Sequence, residues 1–138
     1  MWWIYALLSA FFASLTAIFA KMGIKNMDSD LATAIRTVVI IILAWGIVFF
    51  KGSAHTITTL TKQNWTFLVL SGCATGLSWI FYFRALQLGK VEQVAPIDKL
   101  SVALSILLAV IFLGEQLTLK SAIGAALIIG GTFVLILK

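Results

Sequence analysis

Residues 2–20 contain no charged side chain, and apolar runs of similar length recur along the whole chain. About 20 consecutive apolar residues is the length a helix needs to cross a 30 Å hydrocarbon slab. A chain of 138 residues with 62% hydrophobic and 11% charged residues, and a mean hydropathy of +1.10, lies well outside the soluble range. The pattern predicts an all-α membrane protein, a bundle of five transmembrane helices over about 2–20, 31–50, 65–85, 95–113 and 120–137, forming one domain over 1–138. Its first partner is the lipid bilayer. The N-terminus lacks the basic region and small-residue cleavage pair of a signal peptide, so the first run reads as a retained helix.

The remaining residues exclude several classes. A net charge of +5 invites a nucleic-acid reading, but the cations are scattered between apolar runs and make no stripe interleaved with aromatics. We expect no nucleic-acid partner. One cysteine (Cys73) and one histidine (His55) offer neither a disulfide nor a metal site, and there is no nucleophile–base pair or phosphate-binding glycine loop. The expectation is no enzyme, no cofactor and no metal.

Charges within the spans carry the functional argument, because an Asp or Lys at a bilayer centre costs roughly 2.5–3.5 kcal/mol on insertion scales. Arg36, Arg84, Asp98 and Lys99 all approach one membrane surface and are the substrate or coupling candidates. Arg36 can instead snorkel to the headgroups. Arg84 ends the third span and Asp98 begins the fourth, so a short connection between antiparallel neighbours predicts that the two lie within reach. Asp98 is the better placed acid for a proton relay, whereas pairing with a cation would make it structural. Trp79 and Tyr82 are cavity-lining candidates, with a filled core as the blander role for that aromatic cluster.

Other positions read as architecture. Ala6, Ala10 and Ser14, and likewise Ser9, Ala13 and Ala17, repeat every four residues and give small packing faces. Gly72 and Gly76 have the GxxxG spacing, and Gly124 and Gly131 lie in the last span; all four are helix-packing candidates. Pro96 fits the first turn of a helix starting beside it, after a connection at Gln87–Gln93. Asp30 is placed to cap the second span. Glu115 reads as tying a helix end to the following loop.

The segments Phe81-Tyr82-Phe83-Arg84-Ala85-Leu86, Val94-Ala95-Pro96-Ile97-Asp98-Lys99-Leu100-Ser101, Phe112-Leu113-Gly114-Glu115 and Gly124 through Gly131 occur in one order. Together they resemble the EamA domain of the drug/metabolite transporter superfamily, in its small five-span bacterial and archaeal branch. That resemblance implies a secondary transporter in the inner membrane, moving a small metabolite or drug-like solute by alternating access. Larger members carry two such units in inverted orientation. A chain with one unit is therefore expected to form a homodimer, with antiparallel packing as one arrangement. The alternative is a non-transporting membrane subunit that docks another helical membrane protein.

Loop lysines divide almost evenly, with Lys51, Lys62 and Lys120 on the N-terminal side against Lys21, Lys25, Lys90 and Lys138 on the other. Adding the recessed Arg36, Arg84 and Lys99 points the N-terminus outward. Five spans put the two ends of this sequence on opposite faces. Accessibility of tags at both ends should show that, with a C-in population at least as large as C-out; both tags on one face would refute five spans.

Overall fold

In a computed structural model describing residues 1–137, six α-helices account for five spans. They are α1 (Trp2–Gly23), α2 (Ser29–Phe50), α3 (Lys62–Leu88), α4 (Val91–Asp98), α5 (Leu100–Leu113) and α6 (Leu119–Ile136). The fourth span, Val91–Leu113, comprises α4 and α5. No strand occurs among the described residues, as expected where hydrocarbon offers backbone groups no partner and a helix satisfies them internally. The chain divides into two compact units: Met1–Ile18 with the segment from Leu88 onward, and Phe19–Gln87.

The second of these units is tied together at the ends of its helices. Between α1 and α2, the Asp28 carboxylate accepts from the Asp30 and Leu31 N–H groups at 2.9 and 3.0 Å. The sequence predicts Asp30 as the cap; the structure assigns that role to Asp28, whose extended backbone precedes the helix, and leaves Asp30 in the first turn. A carboxylate satisfies orphan N–H groups from either place only if it points back along the axis, which the residue ahead of the helix does. From α3, the Gln87 side-chain amide donates to the Met27 carbonyl at 2.8 Å, and the Lys21 ammonium donates to the Leu86 carbonyl. Ile24, Ala32, Phe83 and Leu86 are buried here, with Ser29 and Thr33 among them.

After α2, Gly52 takes a left-handed conformation (φ 66°), and residues Ser53–Thr59 form a 3-10 helix. Its hydroxyls serve it locally: Thr56, Thr58 and Thr59 each donate to a carbonyl three residues back, at 2.7, 3.0 and 2.7 Å. The threonine-rich loop is thus a compact turn whose side chains compete for its own backbone. His55 joins it, with Nδ1 2.8 Å from the Gly52 carbonyl oxygen.

In the other unit, α4, α5 and α6 lie against one another. The start of the fourth span differs from expectation. The structure begins α4 at Val91, behind Lys90 in extended conformation, so Pro96 is the sixth helical residue and not part of the first turn. The connection from α3 shrinks to Gly89 and Lys90. Polar Glu92 and Gln93 look like loop in a sequence, yet nothing prevents them from forming an exposed helical turn at a membrane edge. α5 ends at Gly114, left-handed at φ 67°, where the Glu115 N–H donates to the Ala109 carbonyl at 3.3 Å.

Replacing Asp28 with Ala should lower stability by about 1 kcal/mol, whereas Asn, which keeps the acceptor, should cost less. Thermal unfolding in detergent measures both; equal loss in the two variants would show that the carboxylate's charge, and not its acceptor geometry, is what α2 requires.

Candidate functional site

Two places put polar chemistry inside a span, and each lies within one unit. The first is the break in the fourth span. Pro96 has no N–H to give the Glu92 carbonyl, and its ring crowds the preceding turn. The chain tightens just beyond: the Lys99 N–H is shared between the Ala95 and Pro96 carbonyls, at 3.3 and 3.1 Å, and Lys99 itself sits at φ −71°, ψ −10°. From α6, the buried Thr132 hydroxyl, 3.2 Å from the Pro96 carbonyl oxygen and 2.8 Å from that of Ile128, has both acceptors within reach of its single proton. Thr132 was not singled out in the sequence, because a threonine in an apolar helix usually bonds back along its own helix, and nothing in the spacing announces a second acceptor.

At this break stand Asp98 and Lys99, about 10–12 Å along the helix from Val91 at 1.5 Å per residue. Their side chains approach each other at 3.3 Å, with Asp98 about a third exposed and Lys99 more than half. Residues adjacent in a helix diverge around the axis, so this pair leaves much of each charge open to other contacts. The other ion pair among the described residues, Lys90 with Glu92 at 3.4 Å, is largely exposed and contributes little to stability.

The second place is on α2 and α3. The Arg36 guanidinium carbon lies 4.1 Å from the centre of the Trp79 ring and 5.2 Å from that of Phe83. Trp79 and Phe83 are four residues apart on α3 and so share a face. The sequence analysis leaves open whether Arg36 snorkels and whether the aromatics fill a core; the structure places Arg36 against the aromatics, with Phe83 buried and Trp79 half-buried. Tyr82 lies within electrostatic range of the same guanidinium. Arg84, on the same helix, is exposed. The four candidate charges therefore divide between the units, Arg36 and Arg84 in one, Asp98 and Lys99 in the other.

A groove of about 280 Å³ opens beside α5 and α6, lined in part by Ser105, Glu115, Gln116 and Ser121. Glu115 is exposed and contributes its carboxylate to this lining, while its backbone makes the tie to α5. The glycines behave differently from a close-packed GxxxG pair within a unit. A Cβ added at Gly72, Gly76, Gly124 or Gly131 would meet no atom of its own unit within 4 Å. A helix crossing drawn to these glycines is absent from the described residues of either unit. Among the described residues no cluster of metal-ligating side chains occurs, and Cys73 is exposed.

Compared with known proteins, residues 1–137 match the EamA-like transporter family. The chain is 48% identical over 134 residues to a Sinorhizobium sp protein named "Uncharacterized transporter in cobO 3'region", covering 97% of this chain and 95% of that one. It is 27% identical over 129 residues to the "Uncharacterized transporter YxxF" of Bacillus subtilis, covering 93% of this chain but 40% of the relative. A third similarity, 33% over 70 residues, is to the uncharacterized protein MJ1333.1 of Methanocaldococcus jannaschii and covers 51% of each. No solved structure matches the chain.

Thr132→Val keeps the shape and removes the donor shared at the break. Stability should fall by about 0.6 kcal/mol, the average for a hydrogen bond between membrane helices. Thr132→Ser should stay close to the parent, and thermal unfolding in detergent distinguishes the two.

Proposed function

Since the chain belongs to the EamA-like transporter family, we propose that this multi-pass membrane protein, a transporter of the drug/metabolite type, works by alternating access as a homodimer in the inner membrane. The observation that carries the reading is the break at Asp98–Lys99. A charged pair placed within a span, where the helix is interrupted, exposes polar groups at a depth at which lipid cannot solvate them. Interrupted helices that present charge and free backbone groups toward an internal cavity are a recurring way to bind a solute near the midplane.

The dimer is supported by length. The five-span unit aligns with 40% of the Bacillus relative and with 95% of the Sinorhizobium one, so a second copy of a unit this size would supply what the longer relative carries in a single chain. Glycines with open space before them, Gly72 and Gly76 on α3 and Gly124 and Gly131 on α6, are surfaces where a second copy's backbone can approach. An antiparallel pair would bury one unit against its inverted counterpart, in keeping with the nearly even division of loop lysines. Arg36, Arg84, Asp98 and Lys99 are the proposed substrate or coupling groups, and Trp79 and Tyr82 the proposed cavity wall.

Purified protein in liposomes, screened against a metabolite panel with and without a proton gradient, tests the proposal. Saturable uptake of at least one solute is expected, and Asp98→Asn should reduce it about tenfold or more while cross-linking still gives the dimer, since removing one member of a poorly solvated pair leaves the other charge orphaned. Should the parent show no uptake of any solute and cross-link in membranes to a different helical protein, the docking-subunit reading takes its place.

A further inference from the structure

Arg36 has its charge attended to and its hydrogen-bonding capacity left over. The guanidinium lies over Trp79 and Phe83, and an aromatic face attracts a cation through its quadrupole. A ring face does not accept five N–H bonds, which a guanidinium carries in a planar fork. Among the described residues no carboxylate forms an ion pair with Arg36, and no side chain or carbonyl accepts from it.

Its position argues against simple snorkelling. Trp79 and Phe83 stand nine and five residues before the end of α3, so the guanidinium held over them lies about 8–14 Å inside that helix end at 1.5 Å per residue. A side chain whose long stem is free to reach the headgroups is instead folded against rings at about its own depth, since Arg36 is itself seven residues, about 10 Å, into α2. Its own helix reinforces the placement. Ser29, Thr33 and Arg36 share one face of α2, with Ser29 and Thr33 buried, and the Thr33 and Thr37 hydroxyls donate back to the Ser29 and Thr33 carbonyls at 2.9 and 2.8 Å. Those threonine protons are already placed, which leaves the Arg36 fork and the buried Ser29 hydroxyl, itself without a partner among the described residues, as the donors still open on this face.

We propose that the Arg36 fork, backed by Trp79 and Phe83, is a receptor for the carboxylate of a solute with an apolar or aromatic body. A planar carboxylate accepts two parallel N–H bonds from a guanidinium, a geometry that adds direction as well as strength. The adjoining rings offer the apolar part of the same molecule a surface it prefers to water. As a statement about transported solutes this rests on the transport reading above; as a binding site it stands independently. The phosphate of an anionic lipid has the same oxyanion chemistry, and the test separates the two sources.

The probe is 4-fluorobenzoate, followed by fluorine NMR line broadening with the protein in dodecyl maltoside, which carries no phosphate; 4-fluorobenzamide is the uncharged counterpart. The parent should broaden the benzoate signal saturably, reversed by unlabelled benzoate, and leave the benzamide sharp. Arg36→Gln should weaken binding about tenfold or more, as loss of a charge-assisted bond does, with Arg36→Lys intermediate because it keeps the charge without the fork. Trp79→Phe retains a smaller ring with a weaker pull on a cation and should weaken binding less than Arg36→Gln does. Equal broadening of benzoate and benzamide by the parent overturns the site without reference to any variant, and so does undiminished benzoate binding by a folded Arg36→Gln. Loss of benzoate binding in micelles containing phosphatidylglycerol assigns the guanidinium to a lipid headgroup and overturns the solute reading. Benzoate binding in a protein that transports nothing supports the site and removes the transport reading, whereas uptake of neutral solutes without benzoate binding does the reverse.

Discussion

Hydrocarbon does not hydrogen-bond, and most of this structure follows from that one constraint. Every backbone N–H and C=O within a span has to be satisfied by the span itself, so five apolar stretches become helices with little help from specific side-chain packing. The outward surface is accordingly greasy: Phe11, Phe12, Ile42, Leu68 and Leu127, on four different helices, are all exposed in the isolated chain. In a soluble protein such a surface would signal aggregation; here it is what lipid tails solvate. Little is left over for a conventional core, and the buried residues cluster where helices are tied at their ends, around Ile24, Phe83 and Leu86.

Exceptions to the constraint gather where polar groups enter the spans. Pro96 removes one donor from the fourth span, and the structure answers with a tightened turn at Lys99 and a threonine proton offered from α6. Asp98 and Lys99 occupy the place where the helix is already interrupted, so polar backbone and charged side chains share one location. Arg36 answers the same constraint by different means, through aromatic faces in place of acceptors. The two solutions differ in what they leave open. At the break a carboxylate and an ammonium lie together, whereas at Arg36 a cation rests on ring faces and its N–H fork has no acceptor among the described residues.

Much of this was legible from residues alone. The number and approximate limits of the spans and membership of the family follow from hydropathy and a handful of ordered motifs. The boundaries that moved did so for local reasons. Asp28 and Asp30 are both acids ahead of an apolar run, and which one caps depends on the backbone angle of the residue that enters the helix. Pro96 is favoured in a first turn but tolerated deeper where the chain tightens after it, and the α6 hydroxyl that reaches its own carbonyl comes from a residue 36 positions away in sequence.

What the sequence determined by itself was the membrane, since apolar length against bilayer thickness is a one-dimensional comparison that needs no knowledge of neighbours. Only the tertiary structure decided which polar groups meet. That Arg36 lies over Trp79 and Phe83, that Thr132 reaches Pro96, and that Gly72 and Gly76 meet nothing in their own unit are consequences of helix rotation and lateral placement. A uniformly apolar helix encodes rotation poorly. With greasy residues on every side of α2, α3 and α6, the pattern that would mark an inward face in a soluble bundle is missing, and only contacts between helices restore it.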